Sequence, residues 1–483
     1  MKTGTFIGID FGTTNTAVVA VISNEYGSKK IFLGEEGEYP FSSVVAIPKN
    51  GEEMLFGREV KRRRLELSKD YNIITSMKSY LGTNEEFIIN NRRYTAVQIT
   101  AEFLRYIKVY VQKHYNIEIN EATFAFPIDF TPEARKALKS AADLANININ
   151  GFVSESTAAY IATKNEAKAY SKVMVIDWGG GTLDISILDL KGNYIYENSV
   201  YGDKIGGDDI DLEIAKRVHS KLINKTNIKV NFDEMKLEDK DKIISQCENV
   251  KIGFSNCFDD ADILLRNYGE FGTKSITIEY EYFEEIIAPI IKNRVLKTID
   301  IALERAQVTR SSIDAVIIAG GSCDLRPFAN LIINVFGQDK IIIPDKKQWE
   351  VAVGAAYIDI IGSKYLLNDD LGVLLSDNSI FPILKKSVHG VGSKVGPFSF
   401  SLTEDSKDAH FIFTNGDNTF NYSNLSIPTK GFLEEKLEIS ASINSDQIAQ
   451  VQVANRFMGK DYSKTVSINK LKFYYDLSPV KDI

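Results

Sequence analysis

One short pattern, present at residues 6–21 and again at 173–188, constrains the fold of this chain more than any other feature. The first copy reads FIGIDFGTTNTAVVAV and the second VMVIDWGGGTLDISIL. Each runs from apolar residues through an aspartate and an aromatic residue into glycine and hydroxyl residues, and then into a second apolar run. Either copy alone would fit an ordinary tight turn. Together they predict one β-hairpin used twice, in two similar halves that face each other.

Three consecutive glycines, Gly179–Gly181, interrupt the second copy. Glycine in a strand costs about 0.5–1 kcal/mol relative to alanine, so the run indicates a need for positive φ or for close backbone approach. The backbone N–H groups of such a turn can form a concave site for phosphate. Thr13, Thr14 and Thr182 would add hydroxyl donors to that site.

Carboxylates accompany both turns, since Asp10 precedes the first and Asp177 and Asp184 flank the second. They would repel a polyphosphate unless a cation, such as Mg²⁺ with its waters, lay between. A third segment, AVIIAGGSCDLRPFANLI (315–332), predicts a buried strand, a Gly-Gly-Ser turn and a helix. Its glycines would admit a flat group such as a base or ribose. The three segments therefore predict a site for a nucleotide polyphosphate and its metal ion.

In this order, the three segments resemble the actin-like ATPase superfamily, and most of all the seventy-kilodalton heat-shock chaperones of the DnaK type. Further stretches with family counterparts are YPFSSVVAIP (39–48), TSMKSYLG (75–82), FPIDFTPEARKALKSAADLANI (126–147), SESTAAYIAT (154–163), KIGGDDIDLEIAKRV (204–218) and VAVGAAYIDI (351–360). The resemblance implies an α/β actin-like ATPase domain of two lobes with duplicated, RNase H-like sheets, followed by an all-β sandwich. It implies a nucleotide domain at 1–362, a linker at 363–372 and the sandwich at 373–483.

The resemblance also implies roles for individual residues. Lys78 is similar to the lysine that reaches the γ-phosphate and the attacking water, and Pro127 to a proline that switches between nucleotide states. The implied catalytic residues are Lys78, Asp10, Glu155, Asp177, Thr182 and Asp184, of which Asp10 and Asp177 would hold hydrated Mg²⁺ and Glu155 and Asp184 would orient water or metal. The implied nucleotide-binding residues are Gly12, Thr13, Thr14, Asn15, Gly179, Gly180, Gly181, Thr182, Gly207, Glu248, Lys251, Ser255, Gly320, Gly321 and Ser322. The implied cofactors are ATP or ADP with Mg²⁺, and K⁺ is a candidate second cation.

The chain departs from the family pattern at three positions. Ile252 and Asp324 stand where two arginines commonly flank the adenine, which would remove about 0.5–2 kcal/mol of cation–π stabilisation at each. Weaker nucleotide binding and a less secure base preference are expected, unless Arg326 substitutes from two residues further on. Gly151 stands where an arginine often docks J-domain co-chaperones, so stimulation by an ordinary J-domain protein is in doubt. A nucleotide-exchange factor remains a candidate partner.

The last third of the chain changes character after about residue 362. GSKYLLNDDLGVLL resembles the apolar and acidic linker of the family. Short apolar runs follow at 397–402, 410–413, 436–443, 449–454 and 464–468, separated by turn residues such as Asn415-Gly416-Asp417. In KLEISASI (436–443) apolar and polar residues alternate, which predicts a half-buried strand. These runs predict a β-sandwich that binds extended peptides, or alternatively one fixed partner, without the helical lid of the family.

Composition excludes several other classes of function. The net charge of −8 gives no general attraction to nucleic acid or to anionic membranes, and no apolar run approaches the roughly 20 residues of a membrane span. The basic run Lys61–Arg64 is more typical of a solvated helix face than of a nucleic-acid site. Three cysteines without metal-site spacing favour buried free thiols in a reducing cytoplasm.

The function that fits these observations best is an ATP-hydrolysing, DnaK-type chaperone active in protein folding and the stress response. Its hydrolysis cycle would be coupled to the binding of extended polypeptide segments. The alternative is a scaffold or regulator that uses nucleotide as a switch and binds one dedicated protein with little turnover. A filament-forming actin relative is disfavoured by the β-domain. A sugar or acid kinase is disfavoured because no base remains beyond the acids assigned to the metal.

Overall fold

The structure is a computed structural model, and it describes residues 2–37, 39–51, 53–127, 130–164, 170–224, 230–256, 259–431, 435–458 and 462–478, without the side chain of Leu65. Cys247 and Cys323 are buried free thiols, as expected, while Cys257 lies outside the described residues. Across the described ranges, no helix combines the length and the apolar character that crossing a membrane requires.

The first lobe is built on a six-stranded sheet with helices packed against it. Its strands are β1 (Gly4–Phe11), β2 (Asn15–Asn24), β3 (Gly27–Phe32), β4 (Phe41–Ser42), β5 (Val44–Pro48), β6 (Leu55–Phe56), β7 (Tyr71–Thr75), β8 (Glu86–Ile89), β9 (Arg92–Thr95), β10 (Glu121–Phe126) and β11 (Asn148–Ser154). Its helices are α1 (Gly57–Leu67), α2 (Ala96–Tyr115), α3 (Pro132–Leu144) and α4 (Glu155–Ala162). The main sheet has the order β11-β10-β1-β2-β3, with β4 paired to β2, and β6-β5-β7 and β8-β9 form two smaller sheets.

The second lobe repeats this plan around its own sheet. Its strands are β12 (Lys172–Trp178), β13 (Leu183–Lys191), β14 (Tyr194–Asp203), β15 (Asp260–Leu265), β16 (Lys274–Glu279), β17 (Ala315–Ala319) and β18 (Ile341–Ile342). Its helices are α5 (Gly207–Ile223), α6 (Leu237–Ser255), α7 (Tyr280–Ile290), α8 (Leu296–Ala306) and α9 (Arg326–Phe336), and α10 (Glu350–Ile361) follows them in the chain. Helix α10 packs on α4 and on strands β1, β2, β10 and β11 of the first lobe, and at Gly354 a side chain would collide with the backbone of Ala158 in α4.

The remaining strands are β19 (Lys364–Leu367), β20 (Leu371–Leu374), β21 (Ile380–Leu384), β22 (Lys394–Ser401), β23 (Asp408–Asn415), β24 (Asn421–Pro428), β25 (Lys436–Ile443), β26 (Ala449–Asn455), β27 (Ser463–Ile468) and β28 (Phe473–Asp476). Two four-stranded sheets, β21-β20-β23-β24 and β22-β25-β26-β27, form the sandwich. In β25 the apolar side chains of Leu437, Ile439, Ala441 and Ile443 are all buried between the sheets, so the alternation in the sequence identified the inner face correctly.

Equivalent strand pairings place the two glycine turns at equivalent positions of the two lobes. Strand β1 pairs antiparallel with β2 and parallel with β10, and β12 pairs antiparallel with β13 and parallel with β17. The expected α/β fold, with a duplicated hairpin and a strand-rich C-terminal region, is therefore confirmed. Asp10 and Asp177 both lie near the carboxyl ends of parallel strands, which is where α/β sheets bind ligands.

Strands β19 and β28 belong to the second lobe rather than to the sandwich. The seven-stranded sheet has the order β18-β17-β12-β13-β14-β28-β19. The chain thus adds β19 to this sheet before it enters the sandwich, and β28 after it leaves. The division at residues 362 and 372 stays a prediction, although β28 falls within the range 373–483.

Candidate functional site

The two glycine turns face each other across one cleft. A Cβ atom on Gly180, in the second turn, would lie 2.7 Å from the Cβ atom of Thr14 in the first. The Thr14 hydroxyl also donates to a carboxylate oxygen of Asp208, at 3.2 Å, at the start of α5. Thr14 and Gly180, which belong to the two copies of the repeated pattern, are therefore in contact across the lobes. A group bound between the turns would contact the backbone of both lobes.

Position 180 requires glycine because Thr14 leaves no room for a side chain there, and not because the backbone has a positive φ. Positive φ angles occur at fifteen of the described glycines, including Gly320 at 83°, but Gly179–Gly181 do not have them. The expectation of positive φ in the triple glycine was therefore wrong. The turn is instead closed by ordinary hydrogen bonds, among them Gly179 N–H to the Thr182 carbonyl at 2.9 Å.

The carboxylates of Asp10, Glu155, Asp177 and Asp184 surround Lys78 in the cleft, near enough to affect one another's pKa values. The Lys78 ammonium lies 2.8 Å from Glu155 Oε1, and both side chains are almost completely buried. Burial acts to lower the pKa of Lys78, but the neighbouring carboxylates outweigh burial and raise that pKa. Burial and the nearby Glu155 raise the pKa of Asp10 to about 7, and the same two causes raise the pKa of Asp177 well above its usual range.

This donor set fits a hydrated divalent cation. Carboxylate oxygens are hard ligands, and a cation among them would stabilise their ionised forms. In the part of the chain that the structure describes, no three histidine, cysteine or acidic side chains converge closely enough to ligate one ion. The arrangement suits Mg²⁺, which usually keeps several of its waters and takes one or two carboxylates.

The cleft has a volume of about 1270 Å³, and nearly every residue predicted for the site lines it. The predicted residues that line it are Asp10, Gly12, Thr13, Thr14, Asn15, Lys78, Glu155, Asp177, Gly179, Gly180, Thr182, Asp184, Gly207, Glu248, Lys251, Ser255, Gly320, Gly321 and Ser322. Gly181 is not among the lining residues, although a Cβ atom there would lie 3.2 Å from the Thr13 hydroxyl. Pro127 lines the cleft as well.

Helix α6 contributes the side chains of Glu248, Lys251 and Ser255, and each of them forms a hydrogen bond or an ion pair within the protein. The Lys251 ammonium binds the Gly207 carbonyl at 2.9 Å and Asp211 at 2.7 Å. The Ser255 hydroxyl donates to the carbonyl of Lys251, one turn earlier in α6. Burial acts to raise the pKa of Glu248, but Lys61, Lys251 and Arg64 together outweigh burial and lower that pKa.

Ion pairs across the cleft were not expected from the sequence. Lys61 in α1 lies 2.7 Å from Glu248 in α6, and Arg64 lies 3.6 Å from Asp241. The basic run was interpreted as a solvated face, but two of its members join the two lobes. Their partners are far away in the sequence, and the chemical type of Lys61 alone does not indicate them.

Two of the positions at which the sequence departs from the resemblance, Ile252 and Asp324, both line the cleft. Ile252 lines the cleft and is 50% exposed, and Asp324 forms an ion pair with Lys347. Arg326 does not take the place of the missing arginines, because its guanidinium lies 3.4 Å from the ring centre of Tyr280 and is not among the cleft-lining groups.

A second contact region, missed in the sequence, connects α3 to the sandwich. Arg135 donates to the Asp446 carbonyl at 2.9 Å, and the Lys139 ammonium binds the Ser445 hydroxyl at 2.8 Å. Arg135 is buried, which is unusual for arginine and shows that the contact is close. The sandwich thus docks on the helix that follows Pro127, a cleft-lining residue.

Comparison with known proteins agrees with this geometry. A family model described as Hsp70 protein matches residues 6–378. A protein named Chaperone protein DnaK, from Ureaplasma urealyticum serovar 10, is 30% identical over 81% of this chain and 63% of its own length. Proteins of the same name from Mesomycoplasma hyopneumoniae strain 7448 and Metamycoplasma hominis are 29% and 28% identical, over 95% of this chain and 78% and 79% of their lengths. The chain thus spans less than two thirds of the length of the Ureaplasma relative that it matches.

Proposed function

Because the chain belongs to the Hsp70 family, we propose that it is an ATP-dependent molecular chaperone of the DnaK type. In this proposal it binds ATP or ADP with Mg²⁺, hydrolyses ATP, and couples hydrolysis to the binding of extended polypeptide segments. The observation that carries the proposal is the Lys78–Glu155 pair, which lies among carboxylates in a cleft between two facing glycine turns. The cytoplasmic location expected from the sequence remains a prediction.

In this proposal the two glycine turns bind the phosphates of the nucleotide. Backbone N–H groups beside Gly12 and Gly180 would donate to phosphate oxygens, and the hydroxyls of Thr13, Thr14 and Thr182 would add further hydrogen bonds. Asp10 and Asp177 would hold hydrated Mg²⁺, which when bound offsets phosphate charge. The remaining predicted site residues would contact the ribose and base from α6 and from the turn at 320–322.

Hydrolysis would depend on positioning and charge more than on covalent chemistry. The Lys78 ammonium, held by Glu155, would offset the negative charge that develops on the transferring phosphoryl group. Glu155 and Asp184 accept hydrogen bonds and would orient the attacking water. Because Lys78 is buried and paired with Glu155, its ammonium is held in one place and would require little reorganisation during the reaction.

Calorimetric titration with ATP, ADP and GTP in the presence of Mg²⁺ tests the proposed nucleotide site, and single-turnover assays test hydrolysis. We expect saturable binding of adenine nucleotides and release of phosphate from ATP. Binding without hydrolysis would favour the nucleotide-switched scaffold, and no binding of any nucleotide would refute the proposal.

Replacing Ile252 by arginine should tighten binding of adenine nucleotides about fivefold, or close to 1 kcal/mol, because a guanidinium over the base adds a cation–π contact. Ile252 lines the cleft and is half exposed, so the longer side chain has room. Leu237→Arg is the matched control, since it adds the same charge to an exposed position at the start of α6. Equal gains for ATP and GTP, or in both variants, would show that the base lies elsewhere.

The sandwich should bind leucine-rich heptapeptides with fast exchange, and ATP should weaken that binding by about 5–150-fold, the usual range of coupling between two sites. Fluorescence anisotropy with a labelled peptide, with and without ATP, measures both quantities. The Lys139→Ala variant removes a contact between α3 and Ser445 and should reduce the coupling, whereas Lys136→Ala changes an exposed residue of the same helix. A peptide affinity that is the same with and without ATP would exclude an allosteric chaperone. No binding to any peptide of a mixed library would favour a single dedicated partner.

A further inference from the structure

Strand β28 (Phe473–Asp476), here called the return strand, is an internal strand of the second lobe's sheet. It pairs antiparallel with β14, where Ile195 opposes Tyr475, and antiparallel with β19, where Tyr365 opposes Tyr475. Tyr475 is 2% exposed, and its ring stacks on that of Tyr365 at a centroid distance of 4.1 Å. A residue near the far end of the sequence is therefore built into the core of the nucleotide-binding lobes.

The Tyr475 hydroxyl contacts the residue that precedes a predicted catalytic residue. It accepts a hydrogen bond from the backbone N–H of Ser154, at 3.2 Å, in a buried environment. Ser154 is the N-cap of α4, because its own hydroxyl accepts from the N–H of Thr157 at 3.1 Å. The next residue is Glu155, which binds Lys78.

A second buried group holds the same helical turn. Glu197, in β14, accepts hydrogen bonds from the Ser154 hydroxyl and from the Thr157 hydroxyl, the latter at 2.7 Å. Burial raises the pKa of this carboxyl, although both hydrogen bonds act to lower that pKa. The start of α4 is thus held from β14 and from the return strand, two strands that are paired with each other.

We infer that Tyr475 is a positioning residue for ATP hydrolysis. Its hydroxyl orients the peptide group at Ser154 and so fixes the direction from which Glu155 reaches Lys78. This inference rests on the proposed hydrolysis. It assigns to the return strand the role of orienting Glu155, a role separate from the binding of nucleotide. The Tyr475 hydroxyl also interacts with the Tyr365 hydroxyl. A purely structural role would therefore be shared with Tyr365, and Tyr365→Phe should then slow hydrolysis as much as Tyr475→Phe does.

The test begins with Tyr475→Phe, which removes the hydroxyl and keeps the ring. An unsatisfied buried N–H at Ser154 should lower single-turnover hydrolysis about 5–50-fold, with nucleotide Kd unchanged. Tyr474→Phe is the matched control, because the neighbouring side chain points to the opposite face of the sheet and stacks on Tyr196. It should hydrolyse ATP at the parental rate. Parental hydrolysis by Tyr475→Phe would overturn the inference.

A double-mutant cycle with Glu155→Gln separates positioning from general destabilisation. If Tyr475 acts through Glu155, the Tyr475→Phe substitution should change the residual rate less than about twofold when Glu155 is already replaced. Equal losses in both backgrounds would show that Tyr475 acts by another route and would overturn the inference. If the parent and all variants bind ATP without hydrolysing it, the proposed function itself fails, and the inference fails with it.

A second pair of variants tests the same hydrogen bond from the other partner. Ser154→Ala and Ser154→Pro both lose the capping hydroxyl, but only the proline variant lacks the backbone N–H that donates a hydrogen bond to Tyr475. Ser154 has a φ of −68°, which suits proline. We expect Ser154→Pro to hydrolyse ATP about 5–50-fold more slowly than Ser154→Ala. Equal rates would refute the inference even if Tyr475→Phe were too unstable to measure.

Discussion

Replacing Lys78 by alanine should lower the rate of ATP hydrolysis by about 10²–10³-fold, the usual effect of removing one preorganised donor to a developing charge. ATP affinity should change by less than roughly fivefold, or about 1 kcal/mol, because the two turns provide most phosphate contacts. The loss should appear in kcat, since the lysine acts mainly on the transition state. Single-turnover hydrolysis, measured beside a binding isotherm, checks both expectations.

Lys78→Arg is the informative companion to Lys78→Ala. It keeps the charge but replaces a compact ammonium by a planar guanidinium, in a place where the ammonium lies 2.8 Å from Glu155. We expect it to recover only part of the lost rate. Unchanged turnover in Lys78→Ala, with ATP bound normally and the chain folded by circular dichroism, would remove Lys78 from the mechanism.

Replacing Gly180 by valine should weaken ATP binding by about 5–150-fold, which corresponds to the roughly 1–3 kcal/mol that overpacking costs. A Cβ atom at this position would lie 2.7 Å from the Cβ of Thr14, so the two turns must separate to accommodate it. Since those turns belong to different lobes, the substitution should widen the cleft where phosphates would bind. Calorimetric titration of the folded variant with ATP measures the loss.

Smaller substitutions should rank in the order of the space available. Gly180→Ala meets the same contact with Thr14 and should weaken binding less than valine does. Gly179→Ala should have the smallest effect of the three, because a Cβ atom there would lie 3.9 Å from its nearest neighbour, the Thr182 carbonyl. If all three variants bind ATP like the parent, the turn has only a structural role.

Local patterns were sufficient to predict the hairpins and much of the sandwich. The repeated Asp-aromatic-Gly segments locate β1, β2, β12 and β13, because glycine turns and apolar runs depend on neighbouring residues. The alternation at 436–443 matches the bounds of β25. Most residues predicted for the site line one cleft, since both turns lie at equivalent ends of equivalent strands.

Contacts between distant segments could not be predicted in this way. The Lys61–Glu248 pair joins residues of α1 and α6 whose separation in the sequence carries no periodic signal. Arg326 was considered as a substitute for a missing arginine, but the neighbouring Tyr280, in another helix, binds its guanidinium. The return strand was missed because FYYD is short and continuously apolar or aromatic, and nothing in it specifies a partner in β14.

The position of the return strand between β14 and β19 determines how the sandwich is able to move. A domain joined by one flexible segment explores a volume set by the length of that segment. This sandwich is joined to the second lobe by two segments, which enter and leave through adjacent antiparallel strands. Residues 387–391, which lie between strands of the sandwich, are also hydrogen-bonded to β19, with Val391 N–H donating to the Tyr365 carbonyl and Leu367 N–H to the His389 carbonyl. Any motion of the sandwich relative to the second lobe therefore breaks backbone hydrogen bonds at β19, and full separation requires melting a strand out of the second lobe's sheet.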